Sequence, residues 1–167
     1  MNYFTYNRYR LSAGYIFQKV KWYTFDTEAF LFYNRSSFDQ ELNFPETSGW
    51  GTYVSSIHTF SLDRSNNLKA GLHFTYSSKV QDLLYENAAF SRMDLFLRYG
   101  FLKNKLVLSA RAGDIFKTSK ISKSTSTSNI YQIYSNYNDN RSFRLSISYN
   151  FGNSKIKSSR SRSGSCK

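Results

Sequence analysis

The sequence predicts an all-β fold, an antiparallel up-and-down meander of about seven strands forming part of a transmembrane β-barrel. Three observations predict it. Apolar residues recur at every second position over segments of about ten residues, the connections alternate between short and long, and aromatic residues crowd the ends of the apolar faces. The chain has 167 residues, 23 Lys and Arg against 11 Asp and Glu, and a formal charge of +12, so it is one domain or part of one. Tyr (14) and Phe (15) are in excess, and a single Pro with 8 Gly excludes collagen-like or Pro-rich disorder. No apolar run approaches the roughly 18 residues of a membrane-spanning helix. A spanning strand remains open, because it hides its apolar residues at alternate positions.

The first strand sets Tyr9, Leu11, Ala13, Tyr15 and Phe17 against Arg8, Arg10, Ser12 and Gly14. In the second, Phe25, Ala29, Leu31 and Tyr33 oppose Asp26, Glu28 and Asn34, with Phe30 and Phe32 breaking the polar side. The third, Thr52 to Leu62, is ambiguous: Val54, Phe60 and Leu62 share a phase while Tyr53 and Ile57 sit on the other, and a bulge would reconcile them. Leu68, Ala70, Leu72, Phe74 and Tyr76 then oppose Lys69, Gly71, His73, Thr75 and Ser77. Met93, Leu95, Leu97, Tyr99 and Phe101 oppose Arg92, Asp94, Phe96, Arg98 and Gly100, and Leu106, Leu108, Ala110 and Ala112 oppose Val107, Ser109, Arg111 and Gly113. The last strand is the cleanest, with Phe143, Leu145, Ile147, Tyr149 and Phe151 on one face and Ser142, Arg144, Ser146, Ser148 and Asn150 on the other.

Gln18 to Trp22, Asp63 to Asn67 and Leu102 to Lys105 read as short turns, and Phe38 to Gly51, Lys79 to Asn87 and Lys117 to Asn140 as long polar loops. An outer-membrane meander sorts its connections in this way, the short ones in the periplasm. Residues 1–153 form the partial barrel domain, and 154–167, basic and Ser-rich, read as a disordered tail ending near the lone Cys166. The opening residues show no basic start, apolar stretch and small-residue cleavage site, so no secretory signal is expected.

Length assigns the apolar face to lipid. A spanning strand needs about 9 to 11 residues, whereas strands of soluble proteins average about 5 to 6. Phe17, Tyr23, Phe101, Tyr149 and Phe151 near the short turns, and Tyr9, Tyr33, Tyr76 and Phe116 near the long loops, fit two interfacial girdles. Because Lys or Arg facing lipid at mid-membrane costs roughly 2 to 4 kcal/mol, the charged side must line the lumen. If Phe101 faces Leu106, Asp94 and Arg111 become diagonal neighbours there, a solvated pair worth on the order of 0 to 1 kcal/mol.

The stretch Leu102-Lys103-Asn104-Lys105-Leu106-Val107-Leu108 leading to Gly113-Asp114-Ile115-Phe116-Lys117-Thr118, with the closing Arg144-Leu145-Ser146-Ile147-Ser148-Tyr149-Asn150-Phe151-Gly152-Asn153 and a basic tail, resembles the C-terminal end of outer-membrane β-barrels of the TonB-dependent-receptor type. The resemblance implies a barrel of about 22 strands in the cell outer membrane, with an N-terminal plug, importing a bulky nutrient on energy passed from the inner membrane. This chain carries about a third of those strands and neither plug nor TonB box. It is expected to be a fragment without transport activity alone, whose partners are lipid, the remaining strands and plug, and periplasmic or inner-membrane energising proteins.

Candidate chemistry is sparse. His58 and His73 fall on neighbouring strands but opposite faces, which disfavours a metal pair. No Gly-x-Ser-x-Gly elbow or recognisable Ser, His and acid arrangement supports nucleophilic catalysis, so no catalytic, metal or cofactor residue is assigned and no enzyme is expected. Asp26 and Glu28 share a face and could mimic a paired-carboxylate site, but ion pairing with Arg8 and Arg10 on the adjacent strand is the favoured reading. The +12 charge invites nucleic-acid binding, yet most strand aromatics lie opposite the charges and cannot stack beside them; no nucleic-acid partner is assigned. The alternative architecture is a free-standing eight-stranded barrel with a structural or adhesion role, its eighth strand drawn from Ile130 to Tyr137.

Overall fold

The computed structural model describes residues 4–38, 44–127 and 130–151; the basic tail predicted from 154 onward, with Cys166, lies outside them. Seven long strands form one antiparallel sheet in meander order: β1 (Phe4–Val20), β2 (Tyr23–Phe38), β3 (Thr47–Ser61), β4 (Leu68–Ser77), β7 (Phe90–Phe101), β8 (Leu106–Gly113) and β11 (Ser142–Tyr149). These are the seven strands read from the alternation. Their short connections, 21–22, 62–67 and 102–105, gather at one end, and the long ones at the other.

One register runs through the whole sheet. Leu11 faces Leu31, Ala29 faces Val54, Val54 faces Tyr76, Leu72 faces Leu95, Leu97 faces Ala110, and Ala110 faces Leu145. Opposed residues share a face, so the apolar sets of all seven strands merge into one outward surface. Leu11 is 71% exposed and Ile147 74%. Among the described residues no hydrophobic side chain is fully buried; the buried side chains are Asn34, Ser36, Ser56, Asp94, Asp114 and Ser119. A soluble fold inverts that order.

β1, β2 and β3 have 17, 16 and 15 residues, beyond the roughly 11 that span a bilayer, so they project past the apolar band on the side of the long loops. The predicted loop from Phe38 to Gly51 is correspondingly too long: Thr47 to Trp50 pair with Ser36 to Tyr33. Its Ser, Thr and Gly content hid a strand with no lipid to face.

No bulge interrupts β3, which pairs without slippage from Phe60 opposite Tyr23 to Thr47 opposite Ser36. Its alternation looked broken because Ser56 and His58 are polar residues on the outward face, while Tyr53 and Ile57 point inward. The irregularity lies instead in β1, between Phe17 and Val20 beside the tight Lys21-Trp22 turn.

Four further strands occupy the long loops: β5 (Val80–Asp82), β6 (Tyr85–Asn87), β9 (Ile121–Thr127) and β10 (Ile130–Asn136). They form a second sheet in the order β10-β9-β6-β5. The segment read as a possible eighth barrel strand is therefore a strand, but it pairs with β9 outside the barrel wall. Hairpins made of Tyr, Ser and Thr carry too little alternation to be recognised from sequence.

Candidate functional site

Among the described residues, the inward face of the seven-stranded sheet and the loop sheet over its end form the surface where most of the paired charged groups are gathered. Asp94 on β7 is its best-ordered centre. Arg92 on the same strand donates from Nε to Oδ1 at 2.8 Å and from Nη2 to Oδ2 at 3.1 Å. Arg111 Nη2 donates to Oδ2 at 2.6 Å, and the backbone N–H of Asp114 to Oδ1 at 2.9 Å. The register predicted for this hairpin holds, with Phe101 opposite Leu106 and Phe96 opposite Arg111. The predicted solvation does not: Asp94 is 2% exposed, because two guanidinium groups and the chain leaving β8 close over it.

The expected pairing of Asp26 and Glu28 with Arg8 and Arg10 is not formed. Arg8 lies opposite Asn34 and donates from Nε to its Oδ1 at 2.8 Å, while its Nη2 reaches Asp82 Oδ2 at 3.2 Å. The guanidinium of Arg10 sits 4.0 Å from the Phe30 ring centre, a cation–π contact. Glu28 and Asp26 lie further along, opposite Gly14 and Ile16. The register carried them past the arginines, and the acid that reaches Arg8 comes from a loop 74 residues away. The aromatic interruptions on β2 thereby find their role. Phe30 stacks on Tyr53 with ring centres 5.4 Å apart, and Phe32 lies over Gly51, its partner on β3.

β5 is seated on this inner wall. The Asn34 side chain donates to the Gln81 carbonyl at 3.3 Å and Thr47 Oγ1 to the Leu83 carbonyl at 2.8 Å, and Gly49 leaves the space that Gln81 fills. Thr125 Oγ1 donates to the Leu84 carbonyl at 2.7 Å, tying the third long loop to the second. The root of that loop is held by Asp114, whose carboxylate accepts from Tyr137 OH at 2.9 Å, from the Thr118 N–H at 3.0 Å and from Ser119. Burial pushes the Asp114 carboxyl up, but those hydrogen bonds outweigh it and hold its pKa below the ordinary value; burial and the same carboxylate push the Tyr137 phenol up. Asn34, Asp82, Asp114 and Tyr137 were not singled out from sequence. Only Asn34 had a readable signal, its inward phase on β2.

The two histidines do lie on opposite faces. His73 points inward and is hydrogen-bonded to Ser55 Oγ at 3.0 Å. His58 points outward, between Tyr23 OH at 2.7 Å and Ser56 Oγ at 2.9 Å, and Ser56 continues to Thr27 Oγ1 at 2.7 Å. That chain of hydroxyls and imidazole satisfies its own polar groups, which an apolar surround requires.

The aromatic bands are also present. At the short-turn end Phe17 and Phe25 stack at 5.4 Å, Tyr23 meets Phe60 at 5.0 Å, and Tyr99 meets Phe101 at 4.3 Å. Toward the long loops Tyr33 packs on Trp50 at 5.0 Å. What the surface can do chemically is hold polar and charged solutes behind an apolar shell.

A family model described as the outer membrane protein beta-barrel family matches residues 1–149. Neither a curated protein nor a solved structure matches the chain.

Proposed function

We propose, since the chain belongs to the outer membrane protein beta-barrel family, that its strands are a wall section of a receptor or transporter of the TonB-dependent type, without transport activity alone. Membership places the chain in the outer membrane. In this reading its partners are lipid on the outward face, further strands and a plug on the inner side, and energising proteins of the periplasm or inner membrane. Catalysis and nucleic-acid binding have no part in it.

The observation that carries the reading is the pair of open edges. Among the described residues β1 and β11 end the sheet without a partner, and as first and seventh strands of an antiparallel meander they run in the same direction. Pairing them directly would need a parallel seam, whereas bacterial single-chain barrels are antiparallel with an even strand number. In lipid each unpaired backbone group costs several kcal/mol, so at least one further strand has to complete the ring.

The free-standing barrel with an adhesion role has one observation in its favour, the loop sheet outside the membrane, where Tyr131 is 71% exposed and Tyr134 56%. Expressing residues 1–167 behind a secretion signal separates the two readings. The wall-section reading expects aggregation or degradation, with no heat-modifiable band on a gel. A monomeric, protease-resistant barrel with a heat-modifiable band would establish the free-standing barrel instead.

A further inference from the structure

The lumen-facing charges are sorted along the barrel axis. Opposed residues on the inner face define transverse rows, and the row Ser61, Lys69, Arg98, Ser109 and Ser146 runs across β3, β4, β7, β8 and β11. The next row toward the long loops is Thr59, Gly71, Phe96, Arg111 and Arg144. These two rows hold four cations and no acid. Asp94 lies one row higher and is occupied by Arg92 and Arg111. Below, Asp63 in the β3–β4 turn accepts the Leu68 N–H at 2.8 Å. Among the described residues Lys69, Arg98 and Arg144 have no carboxylate within salt-bridge distance.

Two of the opposed pairs are like-charged, Lys69 with Arg98 and Arg111 with Arg144. Directly opposed like charges destabilise a sheet. Elsewhere on the inner face each close approach of a guanidinium has a counter-group: Asp82 and Asn34 for Arg8, Phe30 for Arg10, Asp94 for Arg92. Here, among the described residues, the row offers the hydroxyls of Ser109 and Ser146 and no carboxylate. Arg98 and Arg144 stand two strands apart, roughly 10 Å across at about 4.8 Å per strand and about 7 Å along, and Ser109 and Ser146 lie between them. Two guanidinium groups reaching inward over hydroxyl donors are a seat for a tetrahedral oxyanion.

We propose that Lys69, Arg98 and Arg144, with Ser109 and Ser146, bind the phosphate group of a solute in the lumen, near the short-turn end. The site rests on the reading of this chain as a barrel wall, since only that reading gives the inner face a water-filled lumen. Its place follows from the sorting of charge: apart from Asp63, taken up within its own turn, the inner-face acids stand toward the long loops, so an anion entering there is drawn to the opposite end. Lipid phosphate is excluded as the occupant because the row is on the face away from the bilayer.

Phosphorus NMR on the complete barrel that contains this wall section, purified in detergent from outer membranes, tests the site, with inorganic phosphate and pyrophosphate as probes at fixed ionic strength. Both signals should broaden on binding, and Arg98→Gln and Arg144→Gln should each weaken binding roughly tenfold. Arg10→Gln, on β1 at the opposite edge of the sheet, should leave it unchanged. Ser109→Ala with Ser146→Ala, which alters no charge, should weaken it less. Absence of broadening in the wild-type protein, or broadening that acetate and chloride suppress equally well, overturns the proposal even if the protein stays in the outer membrane. Failure to fractionate there would strike the barrel-wall reading itself.

Discussion

Arg111 reaches diagonally across the β7–β8 hairpin to place Nη2 2.6 Å from Asp94 Oδ2, and Asp94 also receives two hydrogen bonds from Arg92 and one from the backbone of Asp114. The carboxylate is buried while Arg111 stays half exposed, so the two ends of the pair are not equivalent. Asp94→Asn removes the charge facing two arginines and should destabilise the folded barrel by about 1 to 3 kcal/mol. Arg111→Ala should cost only about 0 to 1 kcal/mol, since Arg92 remains and water replaces the lost donor. Urea unfolding of the complete barrel in lipid vesicles, run as a double-mutant cycle, measures both. Equal costs for the two changes would mean that Asp94 is as solvated as a surface carboxylate.

How much of this was legible in the sequence follows from what each side chain faces. Strands such as β11, with Phe143, Leu145, Ile147 and Tyr149 on one side and Ser142, Arg144, Ser146 and Ser148 on the other, meet two unlike solvents, and the period of two records it. Their register carried the Asp94–Arg111 diagonal with it. Where both faces meet water or protein, as in β5, β6, β9 and β10, the composition records nothing, and the loop sheet went unread. Arg8 shows the limit most directly. Its nearest acids by alternation were Glu28 and Asp26, but its partner Asp82 arrives through a loop that no pattern along β1 or β2 could reveal.

The glycines opposite inward aromatic rings should differ in tolerance. A Cβ on Gly51 would run into the Phe32 ring, which can turn aside into the lumen. A Cβ on Gly71 would meet both the Phe96 ring and the carbonyl oxygen of His58, and the latter is backbone held in the β3–β4 ladder. Both changes overpack the site, at about 1 to 3 kcal/mol, and Gly71→Ala should be the costlier. Comparing urea midpoints of the two variants decides it; a milder effect at Gly71 would show that the β3–β4 ladder yields there.

The loop root at Asp114 should respond to acid and to base. Its carboxyl pKa is lowered by folding, so it stabilises the loop above the ordinary carboxyl pKa of 3.8 and loses that contribution as pH falls through its lower folded value. The Tyr137 phenol is raised above 10.0, so its contribution is complete below pH 10.0 and is lost as pH rises through the higher folded value. Limited proteolysis of residues 114–141 should therefore be slowest between these limits and accelerate on both sides. Asp114→Asn should abolish the acid limb while leaving the strands protected. An acid limb that survives this substitution would assign it to another group.

Neighbouring positions on β1 report which solvent each face meets. Leu11 points outward and is 71% exposed, and Ser12 points inward, so a single residue step crosses from one face to the other. Leu11→Arg should destabilise the barrel by roughly 2 to 4 kcal/mol, the cost of a guanidinium near the lipid midplane. Ser12→Arg should stay within about 0.5 kcal/mol, because its side chain enters the lumen. The sign at Leu11 carries the weight of the comparison. On a water-facing sheet, replacing so exposed a leucine by arginine would be neutral or favourable, whereas a hydrocarbon surround makes it one of the costliest surface changes available. Unfolding free energies of the two variants in vesicles, referred to the wild-type protein, distinguish these cases, and a neutral Leu11→Arg would mean that the outward face of β1 does not meet lipid.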